Sequence, residues 1–213
     1  MHPLILAITG ASGAVYAVRL LEVLLASGRE VHLIVSPSGN AVLRQELGTA
    51  VDLERFDPSP LMEAMKNPLL QSKKPQIERL FNDDGKLIHH RHDDFMAPPA
   101  SGSFLTGGMV ICPCSGSTLS GIAHAASMNL VQRAADVHLK ERRKLILVPR
   151  ETPLSLIQLD NLRKAAEAGA IILPASPGWY HGVASTGDLI DFVVARILDQ
   201  LQIPHSLMKR WGS

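Results

Sequence analysis

Short apolar runs that end abruptly in clusters of Gly, Ser, Thr and Pro set the strongest limit on what this chain can fold into. Residues 3–8 end at Thr9-Gly10-Ala11-Ser12-Gly13-Ala14, and residues 30–35 end at Ser36-Pro37-Ser38-Gly39. Residues 109–112 end at Pro113-Cys114-Ser115-Gly116-Ser117-Thr118, and residues 144–148 at Pro149-Arg150-Glu151-Thr152. Runs this short, bounded by turn formers, read as buried strands. Helical spacing follows the first of them: Val15, Val18, Leu21, Val23, Leu24 and Leu25 recur within 13–27, and Gly28 stands at the expected C-cap. The same reasoning predicts helices over 40–47, 118–126, 130–142, 154–168 and 186–201, and a strand over 170–173. Such alternation requires a parallel sheet, because a parallel pair is joined by a long crossover, usually a helix.

One stretch breaks the rhythm. Residues 52–94 hold 16 of the 41 charged residues, with Pro58, Pro60, Pro68 and Pro75 among them. It reads as an irregular, solvent-facing insertion within a single domain spanning 1–213, too short to fold separately. Residues 96–106, rich in Pro, Ser and Gly, read as loop. The 213 residues carry 21 Lys+Arg against 20 Asp+Glu, with 46% apolar residues and only nine aromatic rings. That balance gives no field to hold a nucleic-acid backbone, and so few rings make no base-stacking platform. The apolar runs fall well short of the ~18 residues of a membrane span, and no signal-peptide pattern opens the chain. Cys112 and Cys114, at C-x-C spacing, build no disulfide framework, so a reducing, cytoplasmic setting is expected.

In a doubly wound sheet, ligands sit beyond the carboxyl ends of the strands. There small residues let backbone approach, and helix starts offer N–H groups to phosphate. Gly10-x-x-Gly13 is neither the G-x-G-x-x-G dinucleotide fingerprint nor a P-loop, and a tight strand-to-helix turn explains it equally well alone. Four such loops together point to a phosphorylated ligand. Ser36 stands where NAD binders place an acidic residue, which argues against an adenine–ribose partner. His89, His90 and His92 have the density of metal ligands without a matching Cys or carboxylate geometry, and read as a solvated loop. Cys112 and Cys114 read as small buried residues, and Ser12 as a hydrogen-bonding group, since no nucleophile elbow surrounds it. Lys140, Arg142 and Arg143 close a helix, where cations suit the dipole and a solvated face is the plain reading. Arg150-Glu151, directly after a strand, is placed for function.

Several of these motifs resemble one family. Residues 7–14 (AITGASGA) with Tyr16, residues 96–103 (MAPPASGS), Cys112-Pro113-Cys114-Ser115, Asn129-Leu130-x-x-Arg133-Ala134-Ala135-Asp136, residues 139–143 (LKERR) and residues 148–153 (VPRETP) resemble the flavin prenyltransferases of the UbiX/Pad1 family. Pro174-Ala175-x-Pro177-Gly178-Trp179-Tyr180 and residues 191–198 (DFVVARIL) continue the match, which covers about 4–48 and 94–212. The fold expected is α/β, three-layer and Rossmann-like (flavodoxin-like), with a mostly parallel sheet. The resemblance implies an enzyme that joins dimethylallyl monophosphate to reduced FMN at N5 and C6. It further implies that no metal is needed and that a dodecamer forms with sites between subunits. The product, prenylated FMN, would serve UbiD-type decarboxylases.

By the same resemblance, Gly10, Ala11, Ser12, Ser36, Ser115, Gly116, Ser117 and Thr118 hold FMN, with Arg150 beside them. Lys140, Arg150, Glu151, Tyr180 and Arg196 surround the dimethylallyl phosphate. Charge that builds on a departing phosphate is what Lys140, Arg150 and Arg196 can neutralise. Trp211 and Phe95 match an aromatic wall facing the allylic cation, with Phe95 standing where a Trp is common. Ser12 and Glu46 match residues that manage proton transfer at the flavin, while Glu151 binds phosphate and assists. Two alternatives stay open: an FMN-dependent decarboxylase of the cysteine-decarboxylating flavoproteins, and a non-enzymatic flavin-binding partner. The first relies on a His near the first helix, and none stands between Gly13 and Ser27. The second leaves Lys140, Glu151 and Arg196 without a purpose.

Overall fold

The computed structural model describes residues 2–70, 85–208 and 210. Its strands are β1 (Leu4–Ile8), β2 (Glu30–Val35), β3 (Lys86–His90), β4 (Gly108–Cys114), β5 (Leu145–Pro149) and β6 (Ile171–Ile172). Its helices are α1 (Ala14–Ala26), α2 (Pro37–Leu47), α3 (Ser59–Ala64), α4 (Gly116–Ala123), α5 (Leu130–Lys140), α6 (Leu156–Glu167) and α7 (Thr186–Leu201). All six strands are parallel, in the doubly wound order β3-β2-β1-β4-β5-β6. Every residue of β1, β4 and β5 is buried, as central strands covered on both faces must be. Leu4, Leu6, Ile8, Val31, Leu33 and Val35 point into one core with α1, α2, α3 and α7. Ile5, Ala7, Met109, Ile111, Leu145 and Leu147 point into the other, with α4, α5 and α6. The result is three layers. Between α1 and α7, Arg19 Nε donates to Asp191 Oδ1 at 2.7 Å in a buried ion pair.

Residues 52–94 are not irregular throughout, as the charge density led us to expect. They contain α3, and β3 extends the sheet beyond β2 with Val31 opposite Leu87 and Leu33 opposite His89. Nor do the histidines form a solvated loop. Alternation along β3 sends His89 to one face, where it stacks on Phe56 with ring centroids 4.3 Å apart, and His90 to the other, stacked on His32 at 4.9 Å. Both are half-buried, as is His92 just beyond the strand. Among the described residues no cluster of three or more His, Cys, Asp or Glu is arranged to hold a metal ion.

Capping moves several helix ends. α2 starts at Pro37 because Ser36 Oγ accepts from Gly39 N–H at 2.9 Å and Pro suits a first turn. α4 starts behind Ser115, and α6 behind the Ser155–Gln158 capping box. α5 stops at Lys140, shortly before Arg142 turns left-handed at φ 53°. Cys112 and Cys114 are buried as expected, and burial pushes both thiols up, that of Cys114 to about 12. Among the described residues no helix is long and apolar enough to cross a membrane.

Candidate functional site

β1 and β4 are neighbours, yet the helices that follow them pack on opposite faces, so a crevice opens beyond their carboxyl ends. Thr9 builds its floor. Its Oγ1 donates to Pro113 O at 2.8 Å and accepts from Ser115 N–H at 2.9 Å, while its own N–H reaches Pro113 O at 3.3 Å. These bonds set Gly10-Ala11-Ser12 beside the start of α4. There Ser115 Oγ accepts from Thr118 N–H at 3.3 Å and donates to Thr118 Oγ1 at 3.0 Å. The N–H groups of Gly116 and Ser117 belong to a first turn, which has no intrahelical acceptor for them. The loops after β1 and β2 meet closely. A Cβ on Gly10 would lie 2.6 Å from Ser38 Cβ and Oγ, so only glycine fits between them. Ser36 is buried beneath as the α2 cap.

Gly13, at φ 117°, brings no side chain to cap α1. Glu46, near the far end of α2, supplies one. Gly13 N–H donates to its two carboxylate oxygens at 3.1 and 3.0 Å, and Ala14 N–H to Oε2 at 2.8 Å. The start of α1 is thereby filled by a carboxylate of the protein itself, so those N–H groups are already taken. Arg150, leaving β5, reaches in: its Nε donates to Ser12 O at 3.4 Å. Ser12, Ser117, Arg150 and Glu151 are exposed at the rim. Tyr16, on the first turn of α1, belongs to the same place. Burial pushes its phenol up, the neighbouring Cys112 and Glu46 add to this, and Arg150 opposes it. Sequence reasoning did not single out Thr9, whose signal is a hydroxyl at a strand end ahead of a glycine turn. Tyr16 was read only as part of a motif.

The remaining positions do not meet here within one chain. Lys140 ends α5, and the chain enters β5 at Leu145, so Lys140 lies toward the amino ends of the strands, paired with Glu141. Arg196 lies in the second half of α7, in the opposite layer, where its Nη1 donates to Asp199 Oδ2 at 2.9 Å. Just beyond it, Gln200 O accepts from Lys144 Nζ beside the start of β5. Phe95 lies exposed past the carboxyl end of β3. Tyr180 is exposed, its ring edge-on to Phe192 at 5.8 Å. Trp211 lies outside the described residues. The fold thus brings together Gly10, Ala11, Ser12, Glu46, the α4 start and Arg150-Glu151, while Lys140 and Arg196 stand on opposite faces of the sheet.

The flavoprotein family matches residues 1–198. The flavin prenyltransferase UbiX of Pseudomonas aeruginosa is 48% identical over 207 residues, 97% of this chain and 92% of its own. A crystal structure of AnUbiX (PadA1) in complex with FMN and dimethylallyl pyrophosphate matches with a TM-score of 0.81 at 34% identity, over 100% of this chain and 98% of that one. A dodecameric FMN-dependent UbiX-like decarboxylase from Escherichia coli O157:H7 matches with a TM-score of 0.79 at 34% identity, over 99% of each chain. The FMN-dependent cysteine decarboxylase TvaF, at 15% identity and a TM-score of 0.52, shares the fold alone. With nearly half its residues shared across almost its whole length, the chain belongs to the UbiX-type flavin prenyltransferases and is a transferase.

Proposed function

We propose that the chain transfers the dimethylallyl group of dimethylallyl monophosphate to reduced FMN, forming bonds at N5 and C6, and that the prenylated FMN passes to a UbiD-type decarboxylase. The observation that carries this reading is the crevice itself. In a chain of this family, the β1 loop, the α4 start and Arg150 converge where a phosphorylated ligand would lie.

FMN fits this crevice by the chemistry of its donors. Gly10, Ala11 and Ser12 present backbone behind small side chains, and Gly116 and Ser117 N–H with the Ser117 and Thr118 hydroxyls would hold its phosphate, above the buried Ser36 and Ser115. The reduced flavin supplies the nucleophilic positions. The chain supplies the rest. Arg150, which reaches Ser12 O, would with Lys140 and Arg196 neutralise charge gathering on the departing phosphate. Tyr180 would add a hydroxyl to that phosphate, and Phe95 and Trp211 would supply the aromatic wall that the family resemblance implies for an allylic carbon becoming positive. Ser12 and Glu46 would carry away the proton lost from the flavin, Glu46 from its place against Gly13 and Ala14, with Glu151 assisting at the phosphate. Because one chain sets Lys140 and Arg196 on opposite faces of its sheet, neighbouring copies would complete the site. A dodecamer like that of the Escherichia coli relative is the assembly we propose.

The test is anaerobic incubation with reduced FMN and dimethylallyl monophosphate, with the pyrophosphate run alongside. The extracted flavin should gain one C5H8 unit with the monophosphate, and an unchanged flavin mass overturns the reading. Arg196→Ala should weaken use of the prenyl donor while leaving FMN binding nearly intact. Equal loss of both would remove Arg196 from the donor site.

A further inference from the structure

We infer that Asp199 is a positioning residue that aims Arg196 at the dimethylallyl phosphate, through a cluster joining α7 to the segment beyond it; this rests on the donor-binding role proposed for Arg196. Three donors converge on this one carboxylate. Arg196 Nη1 donates to Oδ2 at 2.9 Å, Arg210 Nη2 donates to Oδ1 at 2.9 Å, and His205 Nε2 meets Oδ1 at 3.1 Å. Arg196 and Asp199 lie one turn apart on α7, whereas His205 and Arg210 come from the chain past its end. Burial is graded across the cluster. The side chain of His205 is 3% exposed, Asp199 19%, Arg196 48% and Arg210 61%. The carboxylate therefore sits at the boundary, anchored from inside by an imidazole and presenting two guanidinium groups outward.

An exposed i,i+3 pair fixes little by itself, but several partners on one carboxylate define a geometry. Asp199 takes one of the five donors of Arg196, which leaves the other edge of the fork for a phosphate. A long cationic side chain that is already held gives up less rotamer freedom when a ligand arrives. Burial pushes the Asp199 carboxyl up, but hydrogen bonds from Arg210 and His205 outweigh it and hold the group below the usual carboxylate range, keeping it ionised.

The experiment measures KM for dimethylallyl monophosphate, kcat and FMN affinity on the assembled enzyme for Asp199→Asn, alone and in an Arg196→Gln background. Asp199→Asn keeps the shape and removes the charge. We expect donor KM to rise about tenfold with FMN affinity within about twofold of wild type, and no further rise once Arg196 is Gln. Asp199→Glu should recover part of the loss. Arg210→Gln, on an exposed side chain, should raise donor KM by a smaller factor and serves if Asp199→Asn fails to assemble. Suppose Arg196→Gln raises donor KM, but Asp199→Asn and Arg210→Gln leave it unchanged, or Asp199→Asn acts equally with and without Arg196. The inference then falls while the proposed function stands. If Arg196→Gln itself leaves donor KM unchanged, the donor-binding role of Arg196 falls first and this inference with it.

Discussion

Thr9→Val isolates the contact on which the crevice depends. The substitution keeps the branched shape and removes only the hydroxyl. Pro113 O keeps a partner, because Thr9 N–H still reaches it at 3.3 Å. Ser115 N–H does not: its acceptor at 2.9 Å was the hydroxyl, in a buried setting. An orphaned buried donor costs about 1–3 kcal/mol, and the weakened bonding at Pro113 O adds up to about 1 kcal/mol; the middle of that span, about 2–3 kcal/mol, is the loss expected. At about 2–4 °C per kcal/mol for a chain of this size, Tm falls by about 4–12 °C. Thr9→Ser keeps both bonds and loses one buried methyl, for about 0.5–1.5 kcal/mol. Because Ser115 sets the start of α4, Thr9→Val should also weaken FMN binding about tenfold, a change Thr9→Ser should not make. Thermal unfolding at matched protomer concentration gives the first quantity, since assembly makes Tm concentration-dependent, and flavin fluorescence titration gives the second. If Thr9→Val melts with wild type, or Thr9→Ser does equal damage to FMN binding, the hydroxyl does not hold the crevice.

Three further outcomes follow from buried groups. Burial, then His32 and His89 beside it, hold His90 at about 4 against an ordinary 6.5. The unfolded chain thus binds the extra proton between those values, and stability is full above about pH 6.5 and declines toward pH 4. Solvent screening of this half-buried ring limits the loss to about 1–2 kcal/mol, seen as a fall in urea midpoint that His90→Asn should reduce; an unchanged slope in that variant would reject the assignment. The Cys112 and Cys114 thiols should stay unreactive to a thiol-labelling reagent until the chain is unfolded, and prompt labelling of native protein would contradict their burial. Asp191→Ala strips Arg19 of its buried partner, although Glu22 remains at 2.8 Å, so a loss near about 3 kcal/mol is expected in urea unfolding. A loss below about 1 kcal/mol would mean that Glu22 alone suffices.

What the sequence revealed, and what it concealed, divides along physical lines. β1, β4 and β5 are buried on both faces, so they read as continuous apolar runs, and the small-residue loops at their ends mark the crevice. β3 is an edge strand reading KLIHH, with only partial burial and imidazoles packed where aliphatic residues would have announced it. The α1 cap could not be read locally, because Glu46 acts across 33 residues of chain, and the Thr9–Pro113 bond spans 104. Helix ends were missed by a few residues wherever a hydroxyl cap, as at Ser36 or Ser115, sat ahead of the first periodic apolar residue.

The separation of Lys140 and Arg196 has a physical reason within the proposed reaction. FMN and the prenyl donor each carry a phosphate, and two anions in one crevice repel. A helix start carries only about half a unit charge, and α1 has already given its own to Glu46. Cations must therefore come from elsewhere. A chain that buried three of them beforehand would hold uncompensated charge at a cost of several kcal/mol each. Lys140 and Arg196 instead lie at the surface, each beside a carboxylate, Glu141 or Asp199, that compensates its charge while the chain stands alone. Packing of copies would bring them over the crevice after each chain has folded, and the arriving phosphate would supply the counter-charge at the moment they become buried. Exposure of these cations in the single chain is then what lets an assembled site be strongly positive without preventing the protomer from folding.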